Sequence, residues 1–391
     1  MLAPKTTNCQ KYLIPSKRLN VYSYLRPSLN ILVFYNFSSH PDSEYKPSTA
    51  ILATLSLCRA RSLSPLDPSD DPYQPGPHDL IHFQVKALFT AGLNQSLDVW
   101  VPTSPGEYPL MYFLDGFAMG TPPAAYAQVL SHVASHGVVV VAPWAMTMAT
   151  PEHKLPALIT TMDWAEEQLG EKMVEHGVTE EVLVDFGTLL GAGHSAGAHT
   201  LVALLKAEGC GAFKALVLLD PVDGSDPMGI IPEFCITPGE PLNFALPTLH
   251  LAAGFDPVPG FSGMACAPEK LSNERFWLAL HPDAHRWSIN ATDYAHMDFL
   301  DPEYRQMSGD FCGVNHLIED QELSTYRKFV GGLITIFLKA MTEENCETYT
   351  ALLEDPATMS INATSRHVHP TSRCPNLSCS WAPESTDAPW V

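Results

Sequence analysis

The segment from Gly191 to Ala198 holds the residues of this chain that are best arranged for covalent chemistry. It contains Gly193-His194-Ser195-Ala196-Gly197, a G-x-S-x-G sequence between an apolar stretch and an Ala/Leu-rich stretch. In that setting a strand turns sharply into a helix and exposes the serine hydroxyl, and the two glycines let the backbones approach closely. We therefore predict that Ser195 is a nucleophile. A glycine-rich phosphate loop is the alternative, but no Lys or Arg lies beside the motif.

Two later residues have the types and the order needed to activate this serine. A serine hydroxyl alone is a weak nucleophile and needs a histidine base, which an acidic residue orients. After a G-x-S-x-G turn the acid comes first and the histidine second. Asp220 stands at the end of a predicted strand, and His296 follows the last predicted strand. Asp223 is the competing acid, but the strand-end position and the rigid Pro221 favour Asp220.

Strands and helices alternate along the chain from His82 onward. Apolar runs bounded by turn residues are typical of strands that are buried on both faces of a parallel sheet. The predicted strands cover residues 82–87, 96–102, 108–114, 138–142, 184–190, 215–220, 248–254 and 287–290, and the predicted helices cover 123–136, 156–175, 195–207, 271–280 and 323–341. This pattern predicts an α/β fold with a mostly parallel, doubly wound sheet flanked by helices.

Several motifs, in their order along the chain, resemble those of chlorophyllases. Besides the Ser195 motif they are Leu219-Asp220-Pro221-Val222-Asp223-Gly224, Ala265-Cys266-Ala267-Pro268, Asp293-Tyr294-Ala295-His296-Met297-Asp298-Phe299-Leu300-Asp301 and Phe329-Val330-Gly331-Gly332. The resemblance covers about residues 80 to 342. It implies an α/β-hydrolase that cleaves the phytyl ester of chlorophyll with a triad of Ser195, Asp220 and His296. Neither a metal nor an organic cofactor is expected.

The chain departs from the usual plant chlorophyllase pattern at two places. Plant members usually carry Gly-His-Ser-Arg-Gly-Gly at the elbow, where this chain has Ala196 and Ala198 in place of the Arg and the last Gly. Where they carry His-Gly after the third strand, this chain has Asp115-Gly116. These changes bear on the substrate, so a broad-specificity carboxylesterase or lipase-like enzyme is the alternative. A second alternative is a non-catalytic binding protein of the same fold, although such proteins typically lack a triad member and none is missing here.

Backbone groups beside the nucleophile are the expected oxyanion donors. In this fold two backbone N–H groups bind the oxyanion: one belongs to the residue after the nucleophile and the other to the loop after the third strand. In this chain they are the N–H groups of Ala196 and Phe117. An apolar ester needs an apolar pocket, and flexible methionine side chains suit an irregular ligand. We expect Phe117, Trp144, Met146 and Met148 to contact the substrate.

The chain as a whole is acidic, and its charge is unevenly distributed. Its 391 residues carry a net charge of -21, which argues against binding to nucleic acid. Residues 1–65 alone have eight basic and two acidic residues. We therefore expect residues 1–78 to be a disordered region, a leader or a linker, residues 79–342 to be the catalytic domain, and residues 343–391 to be a poorly ordered tail. No segment approaches the roughly 18 apolar residues of a membrane span.

The sequons and cysteines favour the secretory pathway. The glycosylation candidates are Asn94, Asn290, Asn362 and Asn376, with a fifth sequon at Asn36. Ala50 to Leu57 resembles the apolar core of a signal peptide but lies about 50 residues too far along the chain. The nine cysteines form no CxxC pair and no zinc-spaced cluster, so we predict no metal site. Disulfides are expected at Cys266, Cys312, Cys374 and Cys379 in unknown pairing, and free thiols are the alternative.

Overall fold

The computed structural model describes residues 9–14, 53–58, 71–119, 121–145, 150–211, 213–224, 233–256, 258–260, 263, 265–312, 314–343, 345–370, 372–375 and 378–382. The chain divides into two compact units, Met1–Pro65 and Leu66–Val391. In the first unit, strands β1 (Cys9–Ile14) and β2 (Ala53–Cys58) pair antiparallel. The second unit holds every candidate site residue from Asn94 onward that the structure describes.

A nine-stranded sheet forms the centre of the second unit. Its strands, in chain order, are β3 (Leu80–Val85), β4 (Ser96–Pro102), β5 (Gly106–Leu114), β6 (Val139–Trp144), β7 (Val182–His194), β8 (Phe213–Leu219), β10 (Thr248–Ala253), β11 (Arg286–Ala291) and β12 (Ala363–Val368). Across the sheet they lie in the order β12-β11-β10-β8-β7-β5-β6-β4-β3. The pairs from β6 to β11 are parallel, whereas β3, β4 and β12 pair antiparallel. Short β9 (Phe244–Ala245) and β13 (Ser380–Trp381) form a separate pair.

Helices cover both faces of this sheet. They are α1 (Gly116–Met119), α2 (Ala127–Ser135), α3 (Pro151–Glu175), α4 (Ala196–Glu208), α5 (Asn273–Ala279), α6 (Pro302–Cys312), α7 (Asp320–Thr342) and α8 (Cys346–Glu354). The buried residues form two hydrophobic clusters, one that includes α2, α7 and α8 and one that includes α3, α4 and α5. Because the central strands are buried on both faces, their sequences are nearly continuous apolar runs. The predicted mostly parallel α/β architecture is confirmed.

Where we expected a poorly ordered tail, the described residues between 345 and 382 include regular elements. Helix α8 packs with Leu353 fully buried, and β12 pairs with β11 through all six of its residues. A disulfide between Cys346 and Cys374 and another between Cys210 and Cys379 hold the end of this segment. The polar composition misled the prediction because an edge strand is solvated on one side and needs few apolar residues.

Candidate active site

Ser195 lies on a strained turn between β7 and α4. Its backbone has φ 55° and ψ -128°, a conformation that L-residues rarely adopt. A Cβ atom on Gly193 would lie 2.6 Å from the backbone N of Ala198, and one on Gly197 would lie 2.1 Å from the carbonyl oxygen of Leu114. The two glycines therefore permit contacts of β7 with α4 and of α4 with β5. Ser195 keeps its side chain half-buried at the turn.

The structure brings Ser195, His296 and Asp220 into one hydrogen-bonded row. Ser195 Oγ lies 3.0 Å from His296 Nε2, and His296 Nδ1 lies 2.6 Å from Asp220 Oδ2. His296 and Asp220 are both buried. This geometry allows the serine hydroxyl to donate to Nε2 while the Nδ1–H group donates to the carboxylate, which is the arrangement that a nucleophilic serine requires.

The carboxylate of Asp220 receives further hydrogen bonds on its other oxygen. Oδ1 accepts from the Ala253 backbone N–H and from Asn273 Nδ2, both at 2.8 Å. Burial would raise the pKa of Asp220, but the hydrogen bonds from His296 and its other neighbours hold this pKa below its ordinary value. The group facing His296 is therefore a carboxylate at neutral pH.

A second acidic side chain, that of Asp256, lies behind Asp220. Asn273 Nδ2 donates to Asp256 Oδ2 at 2.9 Å as well as to Asp220. Burial first, and then the negative charge of Asp220, raise the pKa of Asp256 well above its usual range. Of the two carboxyl groups, Asp256 is therefore the one that holds a proton more readily, and Asp220 is the one that ionises first. Sequence patterns gave no signal for Asn273 or Asp256, because α5 and the loop after β10 meet Asp220 only in the folded chain.

Asp223, the competing acid, has a different set of partners. Its Oδ1 lies 2.9 Å from His199 Nδ1 and accepts from the Cys235 backbone N–H, and its Oδ2 accepts from Arg275 Nε at 2.6 Å. Burial would raise its pKa, but His199 and Arg275 lower it. Asp223 thus fixes the loop after β8 and does not orient His296.

The loop that carries His296 is fixed by charged side chains on both sides. Asp298 accepts from the backbone N–H of Ala295 at 2.8 Å and from Arg305 Nε at 2.6 Å. Arg327 Nη1 donates to the carbonyl of Leu300 at 3.0 Å. Asp298, the acidic residue of the Tyr-x-His-Met-Asp motif, therefore holds the loop, which explains its place beside the histidine.

The two proposed oxyanion donors lie beside Ser195. Phe117 is the second residue of α1 and has φ 52°, and Ala196 is the first residue of α4. Both residues line the same cleft as Ser195 and His296. A backbone N–H at the start of a helix has no partner within the helix and is free to bind an anion.

A buried hydrogen-bond chain links the loop of Phe117 to the nucleophile turn and the histidine loop. Gly116 N–H donates to Tyr126 Oη at 3.1 Å, and this hydroxyl lies 2.8 Å from His194 Nδ1. His194 Nε2 lies 3.2 Å from the carbonyl oxygen of His296. Burial, and then the charge of His296, lower the pKa of His194 well below its usual value. A neutral His194 thus accepts from Tyr126 and donates to the His296 carbonyl.

The cleft above Ser195 is narrow, with about 20 Å³ of space for a water-sized molecule, and its lining is largely apolar. Among the described residues, its lining comprises Gly116, Phe117, Thr121, Tyr126, His194, Ser195, Ala196, Val222, Gly224, Cys266, His296, Met297 and Cys312. The expected pocket residue Phe117 is present, with its side chain 47% exposed. Trp144 does not line this cleft, because its indole N–H donates to Asp98 Oδ2 at 3.1 Å beside β4. Met146 and Met148 lie outside the described residues.

Asp115, which replaces the histidine of the plant pattern, is fully buried beneath the Phe117 loop. Burial raises its pKa well above the usual range, and the nearby Lys154 ammonium lowers it only in part. Asp115 does not line the cleft at Ser195, so its side chain is not presented to a bound ester. The substitution therefore changes the support of the loop.

The structure pairs all four cysteines that we singled out. Cys266 bonds to Cys312, Cys374 bonds to Cys346, and Cys379 bonds to Cys210. Of the sequon residues, Asn94 and Asn362 are exposed, whereas Asn290 is half-buried in β11 and Asn376 lies outside the described residues. Glycosylation at the two exposed sites stays a prediction.

Three groups of described residues bring together side chains that are capable of binding a metal ion. They are Asp220 with Asp256 and His296, His199 with Asp223 and Cys235, and Glu354 with His367 and His369. In the first group, Asp220 and His296 already bond to each other in the serine–histidine–aspartate row, and Asp256 Oδ2 accepts from Asn273. None of the described helices combines the length and the apolar content that a bilayer crossing requires.

Comparison with known proteins agrees with this fold. The Chlorophyllase family model matches residues 69–368. "Chlorophyllase-1, chloroplastic" of Citrus unshiu is 29% identical over 270 residues, which cover 67% of this chain and 77% of that protein. "Chlorophyllase-2" of Arabidopsis thaliana is 29% identical over 263 residues, which cover 64% and 78%. The chain therefore belongs to the chlorophyllase family of carboxylic ester hydrolases, in agreement with the resemblance of its motifs.

Proposed function

We propose that this protein hydrolyses an apolar carboxylic ester by a Ser195–His296–Asp220 triad and an acyl-enzyme intermediate. The observation that carries this proposal is the row of two hydrogen bonds, 3.0 Å and 2.6 Å long, that ends at a serine on the cleft wall. A non-catalytic binding protein has no need of this alignment.

In the first half of the reaction, Ser195 Oγ attacks the ester carbonyl carbon while His296 Nε2 takes the hydroxyl proton. Asp220 stays ionised and stabilises the imidazolium through Nδ1–H. The backbone N–H groups of Phe117 and Ala196 bind the oxyanion. The tetrahedral intermediate then collapses, and the leaving alcohol takes the proton from His296.

In the second half, water replaces the alcohol. His296 removes a proton from the water as it attacks the acyl carbonyl, and the same two N–H groups bind the second oxyanion. Collapse returns the proton to Ser195 Oγ and releases the acid. The chain supplies every group that these steps use.

The substrate we propose is the phytyl ester of chlorophyll. Family membership and the names of the matched relatives support it, and the apolar side chains of Phe117, Val222 and Met297 in the cleft suit a hydrocarbon chain. The alternative is a broad-specificity esterase of apolar esters. It is favoured by Ala196, because no basic side chain stands next to the nucleophile where plant chlorophyllases have an arginine.

The test is to incubate the purified protein with chlorophyll a and, separately, with p-nitrophenyl butyrate. Ser195→Ala is compared with the matched variant Ser104→Ala, whose serine does not line the cleft. We expect chlorophyllide and nitrophenol from the wild type and from Ser104→Ala but not from Ser195→Ala. Release of nitrophenol alone would select the broad esterase, and full activity of Ser195→Ala would overturn the triad.

We further propose that the protein matures in the secretory pathway. Three disulfides among the described residues form most readily in an oxidising compartment, and the sequon residues Asn94 and Asn362 are accessible. Protein expressed in a eukaryotic host is treated with peptide N-glycosidase F, and Asn94→Gln with Asn362→Gln is the control. A gel shift that the double variant lacks is expected, whereas no shift in the wild type would contradict the proposal.

A further inference from the structure

A cluster of three metal-binding side chains lies where the C-terminal segment joins the sheet. Glu354 ends α8, His367 lies in the edge strand β12, and His369 follows that strand directly. His367 and His369 are two positions apart, which places their side chains on the same side of an extended chain.

The spacing of their ligand atoms fits one metal ion. His369 Nε2 lies 2.6 Å from Glu354 Oε1, and His367 Nε2 lies 3.9 Å from Glu354 Oε2. The three ligand atoms all lie within 4.8 Å of one another. Ligands of tetrahedral zinc, with bonds of about 2.0–2.1 Å, are roughly 3.3 Å apart. Small side-chain rotations would therefore bring all three groups to bonding distance.

Neighbouring groups already hold the ligands in the orientation that a metal needs. Arg373 Nη2 donates to Glu354 Oε2, the oxygen nearer to His367, at 2.6 Å, while Oε1 faces His369. His285 Nδ1 lies 3.3 Å from His369 Nδ1, so the outer nitrogen of His369 is engaged and its Nε2 points to Glu354. Hydrogen bonds to the outer atoms of metal ligands are a regular feature of protein zinc sites.

The cluster is also open to solvent on one side. The Glu354 side chain is only 3% exposed, whereas those of His369 and His367 are 17% and 29% exposed. An ion can therefore reach the two histidines from solvent and keep a water molecule as its fourth ligand. Two imidazoles and one carboxylate suit Zn²⁺ better than Ca²⁺ or Mg²⁺, which take oxygen ligands.

We propose that Glu354, His367 and His369 bind a Zn²⁺ ion that fastens the C-terminal segment to the sheet. The ion would join the end of α8 to the chain just after β12. The disulfide between Cys346 and Cys374 closes the same segment, since it links the start of α8 to the residue after Arg373. The site is independent of the proposed ester hydrolysis.

The test uses the full-length protein without a polyhistidine tag, stripped with EDTA and then titrated with ZnCl₂ by calorimetry. One ion per chain is expected, with an increase in the melting temperature. His367→Gln and His369→Gln should each weaken zinc binding at least about tenfold. The matched control His316→Gln, an exposed histidine elsewhere, should bind as the wild type does.

Cobalt provides a second measurement that does not depend on the variants folding. Co²⁺ added to the stripped wild type should give the intense visible absorption of a four- or five-coordinate ion, and one equivalent of Zn²⁺ should remove it. The spectrum of hydrated cobalt alone, or zinc binding that is equal in the wild type and in both histidine variants, would overturn the proposal.

Discussion

Asp220 is held by four atoms or groups, and only one of them belongs to the histidine base. The Ala253 N–H, the Asn273 amide and the carboxyl group of Asp256 all stabilise its negative charge. A carboxylate with this many donors keeps a fixed orientation, and it therefore fixes the tautomer of His296. The support of the triad acid is thus spread over α5 and the loop after β10.

The raised pKa of Asp256 makes the stability of the protein depend on pH. The folded state keeps a proton that the unfolded chain releases near pH 3.9, so the stability from this group is complete below that pH and is lost as the pH rises toward the folded-state pKa. Asp256→Asn removes the titrating group. When the pH is raised from 5 to 8, the unfolding free energy of this variant should therefore fall less than that of the wild type. Urea denaturation at both values measures the difference.

The matched control for this prediction is Asp283→Asn, which makes the same chemical change at a side chain that is 79% exposed. Its stability should follow the wild-type pH dependence. A wild type and an Asp256→Asn variant with the same slope would show that Asp256 does not retain its proton.

Tyr126 offers a second prediction at the level of a single atom. Tyr126→Phe leaves the buried Gly116 N–H and His194 Nδ1 without their common partner. Each unsatisfied buried group costs about 1–3 kcal/mol, and a loss of about 1.4 kcal/mol in the transition state is a tenfold loss of rate. We expect kcat for p-nitrophenyl butyrate to fall about tenfold.

Tyr108→Phe is the matched control. It removes a hydroxyl that donates to the Ser104 carbonyl, away from the cleft. This variant should keep the wild-type kcat. If Tyr126→Phe also kept kcat within twofold of the wild type, the hydrogen-bond chain would have no part in positioning the oxyanion loop.

At the scale of elements, the close approach of α4 to β5 and β7 determines where Ser195 stands. Gly197→Ala places a methyl group 2.1 Å from the Leu114 carbonyl, and this backbone atom cannot move aside without shifting β5. We expect a loss of about 3 kcal/mol in the unfolding free energy, together with loss of activity. Gly170→Ala in α3 is the control, because its Cβ would meet no atom within 4 Å and should stabilise the helix by about 0.5–1 kcal/mol. Equal stabilities of the two variants would contradict this account.

The elements that could be predicted from sequence are those with an unmistakable burial pattern. The predicted strands overlap β3 to β8, β10 and β11, because the central strands are apolar runs and the sequences of β3 and β4 show strand-like alternation. Helix α6, helix α8 and strand β12 gave no such signal. Helix α6 has the polar sequence PEYRQMSGDFC, and β12 reads ATSRHV because it pairs at the sheet edge.

The same distinction applies to the site. Ser195 and His296 are carried by local motifs, so their sequence neighbours reveal them. The positions of Asn273, Asp256 and Tyr126 depend on contacts between elements that are far apart in sequence. The prediction of Trp144 as a pocket residue rests only on its place at a strand end, and its side chain bonds to Asp98 instead of lining the cleft. Residue type and local order therefore predict the reacting groups better than the groups that support them.

At the scale of the whole molecule, the described residues include three disulfides, and each of them joins loops or helix ends outside the nine-stranded sheet. Cys266–Cys312 joins residues 46 positions apart, and both of its cysteines line the cleft at Ser195. Cys210–Cys379 joins residues 169 positions apart, between the end of α4 and the C-terminal segment, and neither cysteine lines the cleft. Cross-links of this kind stabilise chiefly by restricting the unfolded chain.

Removal of either of these two disulfides should therefore lower the stability of the protein, but only one of the two removals should also change catalysis. Replacing either pair by alanine should lower the unfolding free energy by about 2–4 kcal/mol. Only Cys266→Ala with Cys312→Ala should also raise KM for an apolar ester several-fold, because the cleft wall loses its cross-link. Urea denaturation and steady-state kinetics on the two double variants measure both quantities, with the Cys210→Ala and Cys379→Ala variant as the stability-matched control. A similar rise in KM for both variants would mean that the effect comes from general loosening of the fold and not from the cleft wall.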